Sequence, residues 1–132
     1  MANVTIRGSM RPKPYTTVAI VDDDQFVLES LHDFFDAMGI DSKTYSSADE
    51  FLASGDATKV HCVLADLKMP GTSGLQLLES LVEQGGPPVC IMTSFADSRT
   101  KAAAIRGGAA GFLEKPINSA DLLAFISTKS RH

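Results

Sequence analysis

Val18-Ala-Ile-Val-Asp-Asp-Asp24 places a short apolar run directly before three acidic residues. An apolar run that does not alternate with polar residues is typical of a strand buried on both faces. Such strands occur in parallel sheets that are covered by helices on both sides. The stretch therefore predicts an α/β fold whose first strand ends in a group of carboxylates.

Further along the chain, apolar runs alternate with segments of helical period. The later apolar runs predict strands at 60–65, 89–92 and 110–113, and the less hydrophobic stretch 41–45 predicts a second strand at a sheet edge. The helical stripes comprise Val27, Leu31, Phe34, Phe35 and Met38, then Leu77, Leu78, Leu81 and Val82 in a helix that starts at Gly74, and finally Leu122, Leu123, Phe125 and Ile126. A capping box at 47–50 predicts a short helix through residue 52, and an alanine-rich helix is predicted over 97–106.

Five strand–helix units with short connections predict one doubly wound parallel sheet with helices on both faces. We assign residues 15–130 to this domain. Residues 1–14 have no periodicity, and Gly8-Ser9-Met10 is typical of a cloning junction with the natural start at Met10. We therefore expect residues 1–14 to be a disordered tail or added sequence.

The composition excludes several classes of protein. The 132 residues carry a net charge of -4 and have no stripe of Lys and Arg, which argues against direct contact with nucleic acid. No apolar stretch approaches the ~20 residues that a membrane span needs, and there is no signal-peptide pattern. Cys62 and Cys90 lie in apolar runs and show no metal-binding spacing. We therefore expect both to be small buried residues in a protein of a reducing compartment. We expect a cytoplasmic protein.

Polar side chains follow the predicted strands where ligands bind in open α/β sheets. They are Asp22, Asp23, Asp66, Thr93 and Lys115. Clustered carboxylates repel one another unless a cation is present, and Mg²⁺ is a cation that such oxygen ligands hold. A carboxylate can also attack phosphorus and form an aspartyl phosphate. The cluster therefore predicts magnesium-dependent phosphoryl chemistry.

Each of these residues also has a structural interpretation when it is taken alone. An aspartate at a strand-to-helix turn is commonly an N-cap, and an isolated lysine is commonly a solvated surface charge. The three aspartates leave a choice of register: the metal pair is Asp22 and Asp23, which leaves Asp24 to cap the helix, or it is Asp23 and Asp24. We favour Asp22 and Asp23.

Four motifs in order resemble the receiver domains of two-component signalling. They are Val21-Asp-Asp-Asp24, Leu64-Ala-Asp-Leu-Lys-Met-Pro-Gly71, Ile91-Met-Thr-Ser94 and Gly111-Phe-Leu-Glu-Lys-Pro116. These motif sequences are most similar to those in the receivers of nitrogen-fixation and quorum-type transcription regulators. The resemblance implies a chemotaxis-receiver-like sheet with strand order 2-1-3-4-5.

The resemblance also implies a role for each matching residue. Asp66 matches the phosphoacceptor, and Thr93 and Lys115 match the residues that contact its phosphoryl group. Mg²⁺ would be held by Asp22, Asp23, Asp66 and the backbone carbonyl of Lys68. Thr93 and Phe112 match the switch pair, and the bond before Pro116 is expected to be cis.

A receiver is a signalling domain that catalyses only its own phosphorylation and dephosphorylation. The implied partners are a sensor histidine kinase or phosphotransfer protein, a second copy bound through the surface of residues 102–106 and 118–126, and a DNA-binding output domain outside this chain. An unphosphorylated pseudo-receiver is the main alternative. Lys68 argues against a haloacid-dehalogenase phosphatase, which needs an aspartate there, and the three aspartates argue against a flavodoxin.

Overall fold

The computed structural model describes residues 16–130, and the predicted tail at 1–14 lies outside them. The described chain forms a five-stranded sheet in the order β2-β1-β3-β4-β5, and every pair of neighbouring strands is parallel. The strands are β1 Thr17–Val21, β2 Asp41–Tyr45, β3 Cys62–Asp66, β4 Val89–Thr93 and β5 Gly111–Glu114. The helices are α1 Gln25–Ala37, α2 Ala48–Ser54, α3 Gly74–Glu83, α4 Ser98–Arg106 and α5 Ser119–Ser130, with a 3₁₀ helix at Asp56–Thr58. The predicted fold class and strand order are confirmed.

Alternate residues of the central strands pack against opposite faces of the sheet. Val18 and Ile20 belong to a core cluster with residues of α1 and α5. Ala19 and Val21 belong to a second cluster with residues of α2, α3 and α4. All four are completely buried, as a strand covered on both faces requires.

Several sequence predictions need adjustment: β4 extends to Thr93, β5 is Gly111–Glu114 and α2 extends to Ser54. Strand β3 begins at Cys62, after Val60, and it includes Asp66. Met38 and Val82, which were predicted to be on apolar stripes, are 49% and 53% exposed, whereas Phe35 and Leu81 of the same turns are completely buried. The two exposed residues therefore lie off the buried faces of α1 and α3.

The helix starts follow local capping chemistry. Asp24, Asp97 and Asn118 accept hydrogen bonds from backbone N–H groups of α1, α4 and α5. The predicted capping box of α2 is half formed. Ser47 caps the Glu50 N–H, whereas the Glu50 carboxylate accepts from the N–H of Ser46.

Both cysteines are core residues. Cys62 and Cys90 are completely buried between the sheet and the α1–α5 layer. Burial raises the pKa of the Cys90 thiol to about 12, so it stays protonated and packs as a small apolar side chain. Separately, none of the helices formed by residues 16–130 combines the length and apolarity that a membrane crossing requires.

Candidate functional site

The carboxyl-terminal edge of the sheet brings the predicted residues together. Asp22 follows β1, Asp66 ends β3, Thr93 ends β4 and Lys115 follows β5. The parallel registers place Val21 beside Ala65 and Thr93 beside Glu114, so these strand ends lie at one level. In a doubly wound sheet, this edge is where ligands bind.

Three carboxylates form the acidic part of the site. Asp22, Asp23 and Asp66 each place an oxygen within 4.8 Å of the others. Asp22 is completely buried and Asp66 is 8% exposed, whereas Asp23 is exposed. Partly buried like charges at this separation destabilise the ionised state unless a cation is held between them.

Lys115 supplies one positive charge to this cluster. Its ammonium lies 2.8 Å from Oδ2 of Asp22 and 2.9 Å from Oδ1 of Asp66. Its backbone N–H donates to the carbonyl of Thr93 at 2.8 Å, which fixes the start of the β5–α5 connection against β4. The Lys115–Pro116 peptide is cis, as expected from the resemblance.

The pKa values follow from burial and from this ion pairing. Burial raises the pKa of Asp66, the Lys115 hydrogen bond opposes it, and the charges of Asp22 and Asp23 raise it further; the net shift is upward. Burial lowers the pKa of Lys115, but hydrogen bonds to Asp22 and Asp66 outweigh burial and hold the lysine charged. Asp66 is therefore a carboxylate whose ionisation depends on nearby cations.

The structure distinguishes the roles of the consecutive aspartates. Both oxygens of Asp22 accept hydrogen bonds within the protein, from the Asp24 N–H at 2.9 Å and from Lys115. Asp24 is the N-cap of α1 and accepts from the Phe26 N–H at 2.9 Å. This arrangement places Asp23, and not Asp24, beside Asp22 and Asp66.

Thr93 is buried, and its hydroxyl is bonded within its own loop. The Thr93 Oγ1 accepts from the Phe95 N–H at 3.1 Å and lies 3.4 Å from the Phe95 carbonyl oxygen. The Phe95 side chain is 65% exposed, so little apolar packing holds it. The structure brings Thr93 to the edge of the site, with its hydroxyl turned toward Phe95.

Phe112 lies behind Thr93 on the same face of the sheet. It is the β-sheet neighbour of Ile91, and it packs, half-buried, against the core cluster of the α2–α3–α4 side. Residues two apart in a strand share a face, so Thr93 projects to the side that holds Ile91 and Phe112. Phe112 is therefore next to any space that a movement of Thr93 would open.

The donor set fits a magnesium ion. Carboxylate oxygens from Asp22, Asp23 and Asp66 are hard ligands, and the exposed side of Asp23 leaves room for water. Lys68, whose carbonyl completes the set that the resemblance implies, follows Asp66 by two residues in the β3–α3 connection. Lys115 brings one positive charge to three carboxylates, so two negative charges of the cluster remain for a second cation to balance.

Gly74 is a site-forming residue that the sequence pattern did not single out. A Cβ atom at Gly74 would lie 2.2 Å from the Asp66 carbonyl oxygen and 2.9 Å from Cα of Leu67. The N–H of Gly74 donates to the Leu67 carbonyl at 2.9 Å. The absence of a side chain thus lets α3 begin directly against the backbone of Asp66. The one available signal was a glycine at a predicted helix start.

An apolar pocket beside the site was also missed. A pocket of about 230 Å³ opens between α1 and the β5–α5 connection. Its lining comprises Phe26, Val27, Ser30, Leu31, Lys115, Pro116 and Ile117. Phe26 is 75% exposed, so this pocket presents a large aromatic side chain beside Lys115. The helical stripe could not reveal it, because Phe26 lies off the buried face of α1.

Sequence comparison places the chain among known signalling proteins. The family model described as "Response regulator receiver domain" matches residues 18–127. The transcriptional regulatory protein TdiR of Thauera aromatica is 36% identical over 113 residues, covering 85% of this chain and 50% of TdiR. FixJ of Azorhizobium caulinodans is 37% identical over 110 residues, covering 83% of this chain and 52% of FixJ. The chain spans about half the length of these curated relatives.

Solved structures give the same result. The FixJ-N crystal structure superposes with a TM-score of 0.78 at 33% identity, covering 89% of this chain and 94% of that one. The BeF3-activated DrrB receiver domain superposes with a TM-score of 0.80 at 25% identity, covering 89% and 98%. With the family model matched over most of its length, the chain belongs to the response-regulator receiver domains of two-component systems.

Proposed function

We propose that this receiver domain is a phosphorylation switch whose phosphoacceptor is Asp66. The observation that carries the proposal is the position of the Asp66 carboxylate. It is 8% exposed, it lies 2.9 Å from the Lys115 ammonium, and Asp22 and Asp23 are beside it. This places a nucleophilic oxygen among charges that can neutralise an incoming phosphoryl group.

The donor is a phosphohistidine on a sensor kinase or a phosphotransfer protein. An oxygen of the ionised Asp66 attacks phosphorus, and an O–P bond forms as the N–P bond of the phosphohistidine breaks. The electron pair of that bond stays on the imidazole nitrogen of the donor, which then takes up a proton. Lys115 already contacts Asp66, so its ammonium lies where a phosphoryl oxygen on that carboxylate needs a counter-charge.

Mg²⁺ would be held by Asp23, Asp66 and the Lys68 carbonyl. Asp22 would contribute through its charge. The bound ion would supply positive charge to the phosphoryl oxygens, in addition to the charge of Lys115. Both Asp22 oxygens are already hydrogen-bonded, which favours an outer role for this residue and a direct role for Asp23.

The switch begins at Thr93. A phosphoryl group on Asp66 offers the Thr93 hydroxyl a charged acceptor, which is stronger than the long contact to the Phe95 carbonyl. When the hydroxyl turns, the Phe95 N–H loses its acceptor, and the start of the β4–α4 connection moves. Phe112 then fills the space beside Thr93. The phosphoryl group acts by shifting the population toward this second packing.

The pocket beside Phe26 is the docking site for the phosphodonor. The donor histidine must reach Asp66, and the pocket lies next to Lys115, which contacts that carboxylate. A helix that carries the histidine and an apolar side chain near it would seat that side chain against Phe26 and Ile117. Exposed aromatic residues at such positions are common anchors of protein interfaces.

The output surface comprises α4, β5 and α5, where we propose that two phosphorylated copies associate. Leu122 and Ile126 are buried core residues, whereas Ile105 of α4 is 53% exposed and available to a partner.

The relatives TdiR and FixJ are named transcriptional regulatory proteins. We therefore propose a DNA-binding output domain outside this chain. The receiver itself, with its net charge of -4, would make no direct DNA contact. A cytoplasmic location suits both partners.

Intact-mass analysis with acetyl phosphate tests the phosphorylation. We expect a single phosphoryl adduct that forms in Mg²⁺ and is lost when the metal is chelated. A folded protein that acquires no adduct would contradict the proposal and would support the unphosphorylated pseudo-receiver instead. Acetyl phosphate suits this test because it requires no identified kinase.

A further inference from the structure

A hydrogen bond joins the β3–α3 loop (67–73) to helix α2. The Thr72 hydroxyl donates to Oδ1 of Asp49 at 2.7 Å, across 23 positions of sequence. The second carboxylate oxygen, Oδ2, lies against Gly71, where an added Cβ would be 3.1 Å away. Both oxygens of Asp49 therefore face the loop.

Asp49 lies in the first turn of α2, a helix that is packed against the core. Its neighbour Ala48 and the nearby Phe51 are completely buried in the core cluster of the α2–α3–α4 side. The Ser47 hydroxyl caps the first turn of α2 through the Glu50 N–H. Because the backbone of α2 cannot move without disturbing this packing, the exposed Asp49 side chain starts from a fixed position.

The loop is anchored at both ends and has few other restraints between them. The Leu67 carbonyl accepts from the Gly74 N–H, and Ser73 and Gln76 form a complete capping box at the start of α3, while the Met69 side chain is buried. Pro70 and Gly71 are exposed, and Gly71 has a left-handed φ of 78°. Exposed backbone with few buried contacts opens easily, so one charge-assisted hydrogen bond has a large share in fixing it.

We propose that Asp49 is a positioning residue for metal binding and phosphorylation, acting through Thr72 on the loop that carries Lys68. The inference rests on the proposed function, because it gives the Lys68 carbonyl a part in holding Mg²⁺. Without the Asp49–Thr72 bond, the ion must order the loop as it binds, and its affinity falls. The acceptor Asp66 is unaffected, since β3 and α3 hold it.

The test compares Thr72→Val, which removes the hydroxyl, with Thr72→Ser, which keeps it. Thr58→Val is the matched control, because Thr58 makes only a long 3.4 Å bond to the Gly55 carbonyl. Phosphorylation by acetyl phosphate is followed over a Mg²⁺ titration. For Thr72→Val we expect the half-saturating Mg²⁺ concentration to rise about threefold to tenfold, as for the loss of one solvent-exposed hydrogen bond. The rate at saturating Mg²⁺ stays within about twofold of the wild type, because the bond acts on loop order and not on the chemistry.

Thr72→Ser and Thr58→Val should both titrate like the wild type. Asp49→Ala should match Thr72→Val, and the double variant should show no further rise, because both changes break one bond. An unchanged half-saturation in Thr72→Val, a failure of serine to restore it, or multiplied effects in the double variant would each overturn the proposal.

Two readouts remain informative if the wild type does not phosphorylate. Calorimetric Mg²⁺ titration of the unmodified protein should show the same weakening in Thr72→Val. Amide hydrogen exchange of the metal-free protein should speed up in residues 67–73 of this variant, with α2 unchanged. Loss of wild-type phosphorylation with these two results intact would reject the phosphorylation switch and keep the loop restraint. Unchanged calorimetry and exchange would reject the restraint itself.

Discussion

The Lys115 ammonium lies 2.9 Å from Oδ1 of Asp66, although β4 separates β5 from β3 in the sheet. The side chain reaches this position across the end of β4, where its own backbone N–H donates to the Thr93 carbonyl. The same ammonium contacts Asp22. Lys115, which follows β5, therefore contacts the ends of three other strands, and two of the three carboxylates share its positive charge.

Replacing Lys115 by methionine should affect metal binding and phosphorylation in opposite directions. The acidic cluster loses its counter-charge, so Mg²⁺ should bind several-fold more tightly in calorimetry. The phosphoryl oxygens lose a charged partner, so phosphorylation at saturating Mg²⁺ should slow by about a hundredfold. Lys59→Met, at an exposed lysine 3.8 Å from Asp56, is the control and should change neither quantity. Weaker Mg²⁺ binding in Lys115→Met would contradict this electrostatic account.

Gly74→Ala should destabilise the fold and displace the phosphoacceptor. The new Cβ would lie 2.2 Å from the Asp66 carbonyl oxygen, so the backbone must shift at an estimated loss of about 3 kcal/mol of unfolding free energy. Gly85→Ala is the comparison: its Cβ meets nothing, but its φ is 68°, so the loss should be about 1 kcal/mol. Urea unfolding measures both; equal losses would mean that the close approach to Asp66 is not what requires glycine.

Thr93→Val should separate phosphorylation from its consequence. The valine keeps the shape of the side chain, so Asp66 should still acquire a phosphoryl group. Without a hydroxyl nothing pulls the β4–α4 connection toward the site, and the amide exchange of α4 should no longer respond. Thr93→Ser should retain the response. Hydrogen exchange over residues 98–106, with and without acetyl phosphate, measures it; a full response in the valine variant would disprove the role of Thr93.

Phe26→Ala should affect protein donors and leave small donors unaffected. The side chain is 75% exposed, so its loss costs the fold little. Transfer from a phosphohistidine protein should slow by about tenfold or more, as for an interface anchor. The acetyl phosphate rate should stay at the wild-type value. Met38→Ala, at another exposed apolar residue of the same helical segment, is the control. Equal slowing with both donors would place the effect in the chemistry.

The sequence predicted the parts of the fold that depend on local patterns. The apolar runs predicted β1, β3, β4 and β5, and the less hydrophobic stretch 41–45 predicted β2, which lies at the edge of the sheet. Strand order could not be predicted in this way, because no local pattern determines which strands become neighbours. It came from the family resemblance.

The same distinction applies to the candidate site: residues placed by a local pattern could be predicted, and residues placed by packing could not. Asp66 and Thr93 end strands and Lys115 follows one, so the sequence pattern predicted that they meet at one edge, whereas their roles came from the family resemblance. Gly74 and the Asp49–Thr72 bond depend on how α3 and α2 pack against the loop between them, which no spacing in the sequence encodes. Phe26 was missed for the opposite reason, since an exposed residue off the apolar stripe leaves no signal in a search for buried faces.

The central claim is that Asp66, and no other carboxylate of the cluster, accepts the phosphoryl group. Intact-mass analysis of Asp66→Asn and Asp24→Asn after incubation with acetyl phosphate and Mg²⁺ tests it directly. Asp24 is the control because it caps α1 and lies outside the cluster that Asp66 shares with Asp22 and Asp23. We predict a single phosphoryl adduct on Asp24→Asn and none on a folded Asp66→Asn. An adduct of equal yield on Asp66→Asn would contradict the account.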